Sequence, residues 1–223
     1  MKLVNIILVF IKWPLAVAAA FFTPAAIIGF YQLLHEGWVT NLWKTPFGVG
    51  FIIATISWLI VGRSKIVIFL TTMEHEFTHA LAAWTTFVPV IELRSTDGTT
   101  GTNSLGHVQL GGSNWLILSA PYFFPTVPLT VLIATWVLAT TPSGFARFFI
   151  GAATAYSILS TWREMHFQQS DLREIGFPFA ILFLPYANLL CIGLILANQL
   201  GGSSRAGAYS IEAIRISVDW IRM

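Results

Sequence analysis

Charge is what this chain of 223 residues lacks. Only 10% of its residues are Asp, Glu, Lys or Arg, against 56% hydrophobic, and its mean hydropathy is +0.73. A soluble domain carries about 25% charged residues to cover its surface, so an ordinary soluble globule is excluded. The single cysteine, Cys191, lies in an apolar run; a disulfide scaffold is excluded, and the thiol reads as a small hydrophobe. Seventeen glycines without a repeat exclude a collagen-like chain, and 14% aromatics with so few charges exclude intrinsic disorder. A net charge of +2 gives no ground for nucleic-acid binding. What remains is an all-α, polytopic transmembrane helix bundle whose solvent is the lipid bilayer.

A bilayer span needs about 20 apolar residues. Apolar runs at 13–34, 46–62, 64–87, 114–140, 144–163 and 176–199 predict six spans. Only Gly62–Lys65 separates the second and third runs, which predicts a tight antiparallel hairpin. Alternating six spans from an inner N-terminus puts Lys2, Lys12, Arg63, Lys65, Arg147, Arg205, Arg215 and Arg222 inside, and Lys44, Arg94, Arg163 and Arg173 outside. The excess inside favours two cytoplasmic termini. Residues 92–113 read as a polar, turn-rich loop with room for a short hairpin. In a tail over 201–223, set off from a membrane domain over 1–200, Ile211, Ile214, Val218 and Ile221 recur at helical spacing opposite Glu212, Arg215, Asp219 and Arg222. That pattern suits an amphipathic helix lying on the membrane or on the protein's own cytoplasmic face.

The third run holds Met73-Glu74-His75-Glu76-Phe77-Thr78-His79-Ala80-Leu81-Ala82-Ala83, an H-E-x-x-H pattern. Residues i and i+4 share a helix face, so His75 and His79 can aim their imidazoles at one Zn²⁺, with Glu76 beside them as general base. Composition alone would produce the pattern about 0.003 times in such a chain. Carboxylates in an apolar helix cost at least a few kcal/mol unless paired or functional, which adds weight to the reading.

This segment resembles the site-2 protease family of intramembrane zinc metalloproteases, in particular short bacterial members without PDZ domains. The resemblance implies a membrane-embedded zinc site, with His75 and His79 as ligands and Glu76 as the catalytic glutamate, cleaving a transmembrane protein substrate in or near its membrane segment. A weaker similarity runs through Gly106-His107-Val108 and Ala120–Pro125 towards Asp171. The family's third ligand, an aspartate in an N-x-x-D-G-like motif, has no counterpart here: the one Asp-Gly is Asp97-Gly98, with no Asn three residues ahead.

Catalytic zinc takes three protein ligands. Of three aspartates, Asp219 is in the tail and Asp97 in the turn-rich loop; Asp171, at the junction of two apolar runs, is the first choice, with a helix cap or solvated charge as its bland alternative. His166 and Glu164 are its rivals. His107 is a fourth candidate, or a hydrogen-bond donor to an oxyanion. His35-Glu36 reads as an interfacial pair. At 1.5 Å per residue His75 lies about 16 Å, and His79 about 22 Å, from Ser64. In the assigned orientation that is mid-depth or slightly outward, whereas the resemblance implies a site nearer the cytoplasm. Pro121, Pro125 and Pro128 interrupt the fourth run, Pro178 and Pro185 the sixth, and Asn188 offers an amide for a substrate backbone or for another helix. The expectation is a zinc-dependent metalloendopeptidase. A metal transporter or sensor using the same histidines, or an inactive scaffold, are the alternatives, and the oligomeric state is open.

Overall fold

The computed structural model describes residues 2–95, 106–137 and 143–222. Helix α1 (Lys2–Val39) opens the chain, and a 3-10 turn at Leu42–Lys44 leads into α2 (Pro46–Val61), whose first position is the proline. There Pro46 loses nothing, because that amide has no intrahelical partner. Ser64 caps α3 (Lys65–Thr85) by accepting from Val67 N at 3.4 Å. Strands β1 (Val90–Ser95) and β2 (Gly106–Leu110) pair antiparallel, with an irregularity between Val90 and Glu92. This is the hairpin for which the polar loop had room; Asp97 and residues 99–104 lie outside the described residues. Helix α4 (Trp115–Ser119), a 3-10 turn at Ala120–Tyr122, α5 (Thr126–Val137), α6 (Gly144–Glu164), α7 (Ser170–Ile175) and α8 (Phe177–Arg222) complete the chain.

Among the described residues, two helices are long and apolar enough to cross a bilayer, Leu3–Val39 and Phe177–Arg222, or up to four if each of two bent pairs is one span. Their outer faces carry large apolar side chains, such as Phe10 at 75% exposure and Ile181 at 68%. Six separate spans do not emerge. The 16 residues of α2 reach about 24 Å, short of a hydrocarbon core of about 30 Å. The fourth run is broken, 115–122 meeting 126–134 at 93°. Nor do the second and third runs form an antiparallel hairpin, since α3 leaves α2 at a bend of 119°.

Instead, α2 lies along α6, and the two run parallel. A side chain on Gly151 would strike Phe47 O, and one on Gly50 would strike Phe148 O. Further on, the rings of Trp58 and Tyr156 meet edge-on at 5.8 Å, and Arg163 donates to Gly62 O at 2.8 Å. The beginning of α8 is likewise parallel to α1, with Trp13 against Phe179, Phe22 against Tyr186 and Gly37 against Leu200. Alternating spans would make both pairs antiparallel and put Arg63 and Arg163 on opposite sides. That assignment of sides is corrected: the α2–α3 turn and the end of α6 share one end of the bundle. The third and fourth runs are the cause. The hairpin after α3 returns the chain to Trp115, which donates to Leu8 O near the start of α1. From there α4 and α5 make one bent passage to Leu129 and Leu132, packed with Leu33 and Ile195 at the other end.

Helix α8 breaks at Gly201 and Gly202, the latter at φ +69°, where glycine meets no steric penalty. Its second limb, 203–222, doubles back along α1 and the first limb. Arg205 binds Glu36 at 2.9 Å, Tyr209 donates to Leu189 O, and Ala213 packs with Ala25 and Ala26. The tail therefore lies along the flank of the bundle. Ala206, Tyr209, Ala213 and Ser217 form its buried stripe, while Ile211, Ile214, Val218 and Ile221 are exposed. Glu36, read as an interfacial partner of His35, belongs to Arg205.

Candidate metal centre

Helix α3 brings His75 and His79 onto one face, as the i, i+4 spacing requires, with ring centroids 4.7 Å apart. The first turn of α7 delivers Asp171 to that face. Its Oδ2 lies 3.2 Å from His79 Nε2, 3.4 Å from His75 Nε2 and 3.3 Å from the Tyr122 hydroxyl, which donates to it. Burial alone would raise the Asp171 carboxyl, but hydrogen bonds from the two histidines outweigh it and hold the group well below the usual carboxylate range.

The donor set fits a metal ion. One atom from each of His75, His79 and Asp171 lies within 4.8 Å of the others. Tetrahedral ligands about 2.1 Å from a common centre are about 3.4 Å apart, close to the two Asp171 distances. The far side of each imidazole is also engaged. His79 Nδ1 faces Ile117 O at 2.8 Å, and since a carbonyl only accepts, Nδ1 keeps its proton, so that Nε2, once its own proton leaves, offers its lone pair to a metal. His75 Nδ1 lies 2.5 Å from Glu164 Oε2 at the end of α6. These are the outer partners that orient histidine ligands. Asn114, capping α4 through Leu116 N and Ile117 N, fixes the helix that presents Ile117 O.

Glu76 points into the same cleft, and its Oε2 accepts from Val108 N of β2 at 2.9 Å. Glu74 points the other way, accepting from Ser157 Oγ of α6 at 3.4 Å. The cleft has a volume of about 650 Å³, with Ile68, Val108, Leu110, Ile117 and Leu118 among its apolar walls and Arg63 and Arg163 among its polar ones. Arg163 also binds Thr71 and lies over the Trp58 ring, tying α3 and α6 together.

The candidates from sequence separate here. Asp171 joins His75 and His79. Glu164 backs His75 from its Nδ1 side and is not the third member of the group. His166 is an exposed residue of the cleft wall, outside the group. His107 pairs in β2 opposite Arg94, and its side chain lies outside the described residues, as does Asp97. Asn188 donates to Tyr122 O at 2.8 Å, the interhelical alternative, and so steadies the turn that carries Tyr122. Pro178 sits in the first turn of α8, where it makes no kink. Sequence reasoning missed Tyr122 and the amide of Val108; each lay inside a segment it had quoted, but neither residue type announces the role.

No family model, curated protein or solved structure matches this chain.

Proposed function

We propose that this protein is an intramembrane zinc metalloendopeptidase, hydrolysing a peptide bond in or near a transmembrane segment of a protein substrate. The observation that carries the reading is the convergence of His75, His79 and Asp171, with ligating atoms within 4.8 Å, in a cleft that Glu76 also lines. Zinc bound there would polarise the scissile carbonyl and acidify a water. The chain's own residues supply the rest. His79 is fixed by Ile117 O and His75 by Glu164. Glu76, with Oε2 held by the Val108 amide, takes the proton of the attacking water and returns it to the leaving amine. The apolar walls of the cleft suit an extended segment drawn from a membrane helix.

Charge distribution favours a cleft facing the cytoplasm. The cleft end of the bundle carries Arg63, Lys65, Arg163 and Arg173. Lys44 before α2, Arg147 bonded to Gln199, and Arg205 bonded to Glu36 mark the other end. By the positive-inside rule the cleft end is cytoplasmic, and with it the start of α1 and the end of α8. A cytoplasmic cleft also removes the discrepancy of depth between the alternating-span orientation and the family resemblance.

The test is cleavage of a transmembrane substrate by purified wild type and Glu76→Gln, with metal content measured on both. The expected result is bound metal in both and cleavage by wild type alone. Equal cleavage rules out the mechanism, and metal flux that survives Glu76→Gln without proteolysis makes the protein a transporter.

A further inference from the structure

Lys12 is a costly residue in an apolar helix, and its ammonium makes one hydrogen bond and lies over two aromatic rings, those of Trp13 and Phe179. Lys12 Nζ donates to Ile175 O at 2.8 Å and lies 5.1 Å from the Phe179 ring centroid. Ile175 is the last residue of α7, the six-residue helix whose first turn holds Asp171. A cation at a helix C-terminus satisfies an orphan carbonyl and complements the helix dipole. Immediately beyond, Gly176 at φ +89° turns the chain into α8, so the helix axis does not continue past that carbonyl. Leu172 and Ile175 seat the apolar side of α7 in a core shared with Leu8 and Ala16 of α1. The same stretch of α1 binds α4, through Leu8 O and the Trp115 indole at 2.7 Å, two residues before the carbonyl that orients His79.

We propose that Lys12 is a positioning residue for the metal centre: by holding the C-terminal carbonyl of α7 it fixes the height and rotation at which Asp171 faces His75 and His79. Apolar packing of Leu172 and Ile175 sets the side on which α7 lies. A directed, charged hydrogen bond adds what packing lacks, a fixed position along the helix axis. The proposal rests on the metal-binding half of the proposed function and not on proteolysis.

The experiment titrates Co²⁺ alone into the full chain in detergent, reading affinity and the visible ligand-field spectrum. The proteins are wild type, Lys12→Met and Lys12→Arg, each with Asp171 and with Asp171→Asn. Lys12→Met is expected to weaken Co²⁺ binding about 10-fold or more and to change the spectrum, as loss of an outer partner does. Lys12→Arg, which restores a cationic donor, is expected to recover most of the affinity. In the Asp171→Asn background Lys12→Met is expected to change affinity less than about twofold, because the group it positions is gone. Unchanged affinity and spectrum in Lys12→Met, or an equal loss in both backgrounds, overturns the proposal. Should Lys12→Met fail to fold, Lys12→Gln, which keeps a neutral donor, is judged by the same comparison. Failure of wild type to bind Co²⁺ overturns both this proposal and the metal reading; binding without a Lys12 effect overturns only this one.

Discussion

Nδ1 of His75 lies 2.5 Å from Glu164 Oε2, while Nε2 of the same ring turns to Asp171 at 3.4 Å. One imidazole is thus held between two carboxylates, each supplied by a different helix and each on its own nitrogen. In the proposed metal centre Glu164 therefore aims the His75 ligand. Replacing it by Ala is expected to weaken metal affinity by about 10- to 100-fold, and by Gln less, because an amide oxygen still accepts from Nδ1–H. Competition against a chelator of known affinity measures both.

Asp171 and His166 were rivals by sequence, five residues apart. Asp171→Ala is expected to abolish stoichiometric metal after dialysis, whereas His166→Ala, altering an exposed wall of the cleft, keeps it. Elemental analysis of the two variants decides the assignment; loss of metal from His166→Ala alone would reverse it.

In the proposed hydrolysis, the bond from Val108 N to Glu76 Oε2 makes β2 part of the catalytic apparatus. Val108→Pro removes that donor. A hydrogen bond to a charged group contributes about 1.5–3 kcal/mol, so turnover is expected to fall by about 10- to 100-fold with metal content unchanged. Paired measurements of cleavage rate and bound metal separate this from general disruption.

The approach of α2 to α6 depends on glycine. At Gly151 a side chain would meet the backbone of Phe47, whereas at Gly207 nothing lies within 4 Å. Gly151→Val is expected to destabilise the protein by about 1–3 kcal/mol through overpacking. Gly207→Ala, in the second limb of α8, is expected to be neutral or to stabilise by up to about 1 kcal/mol. Thermal unfolding in detergent compares the two.

Much of this was legible locally. The sixteen-residue, largely apolar segment Pro46–Val61 makes a helix in a bilayer, where its backbone groups find no other partners. The spacing of His75 and His79 places two imidazoles on one face by helix geometry alone. The placing of Arg63 and Arg163 on opposite sides failed because it assumed that every apolar run crosses the membrane once. That assumption ignores the 119° turn into α3 and the 93° break after Tyr122, neither of which changes the hydropathy of the residues involved. In the tail the apolar pattern marked the outward stripe and not the packed one: small residues, Ala206 and Ala213, allow the closer approach to α1 and face inward.

Sequence by itself determined the class of protein, since so few charges cannot cover a soluble surface, and it determined the paired histidines and their glutamate, since they lie within one helical turn. Only the tertiary structure decided the rest. Asp171 meets His79 across 92 positions, Glu164 meets His75 across 89, and Arg205 meets Glu36 across 169. Spacing along the chain carries no information at such separations. Those pairings follow from how the helices pack: α2 lies parallel to α6, α7 is seated against α1, and the last limb of α8 folds back at two glycines.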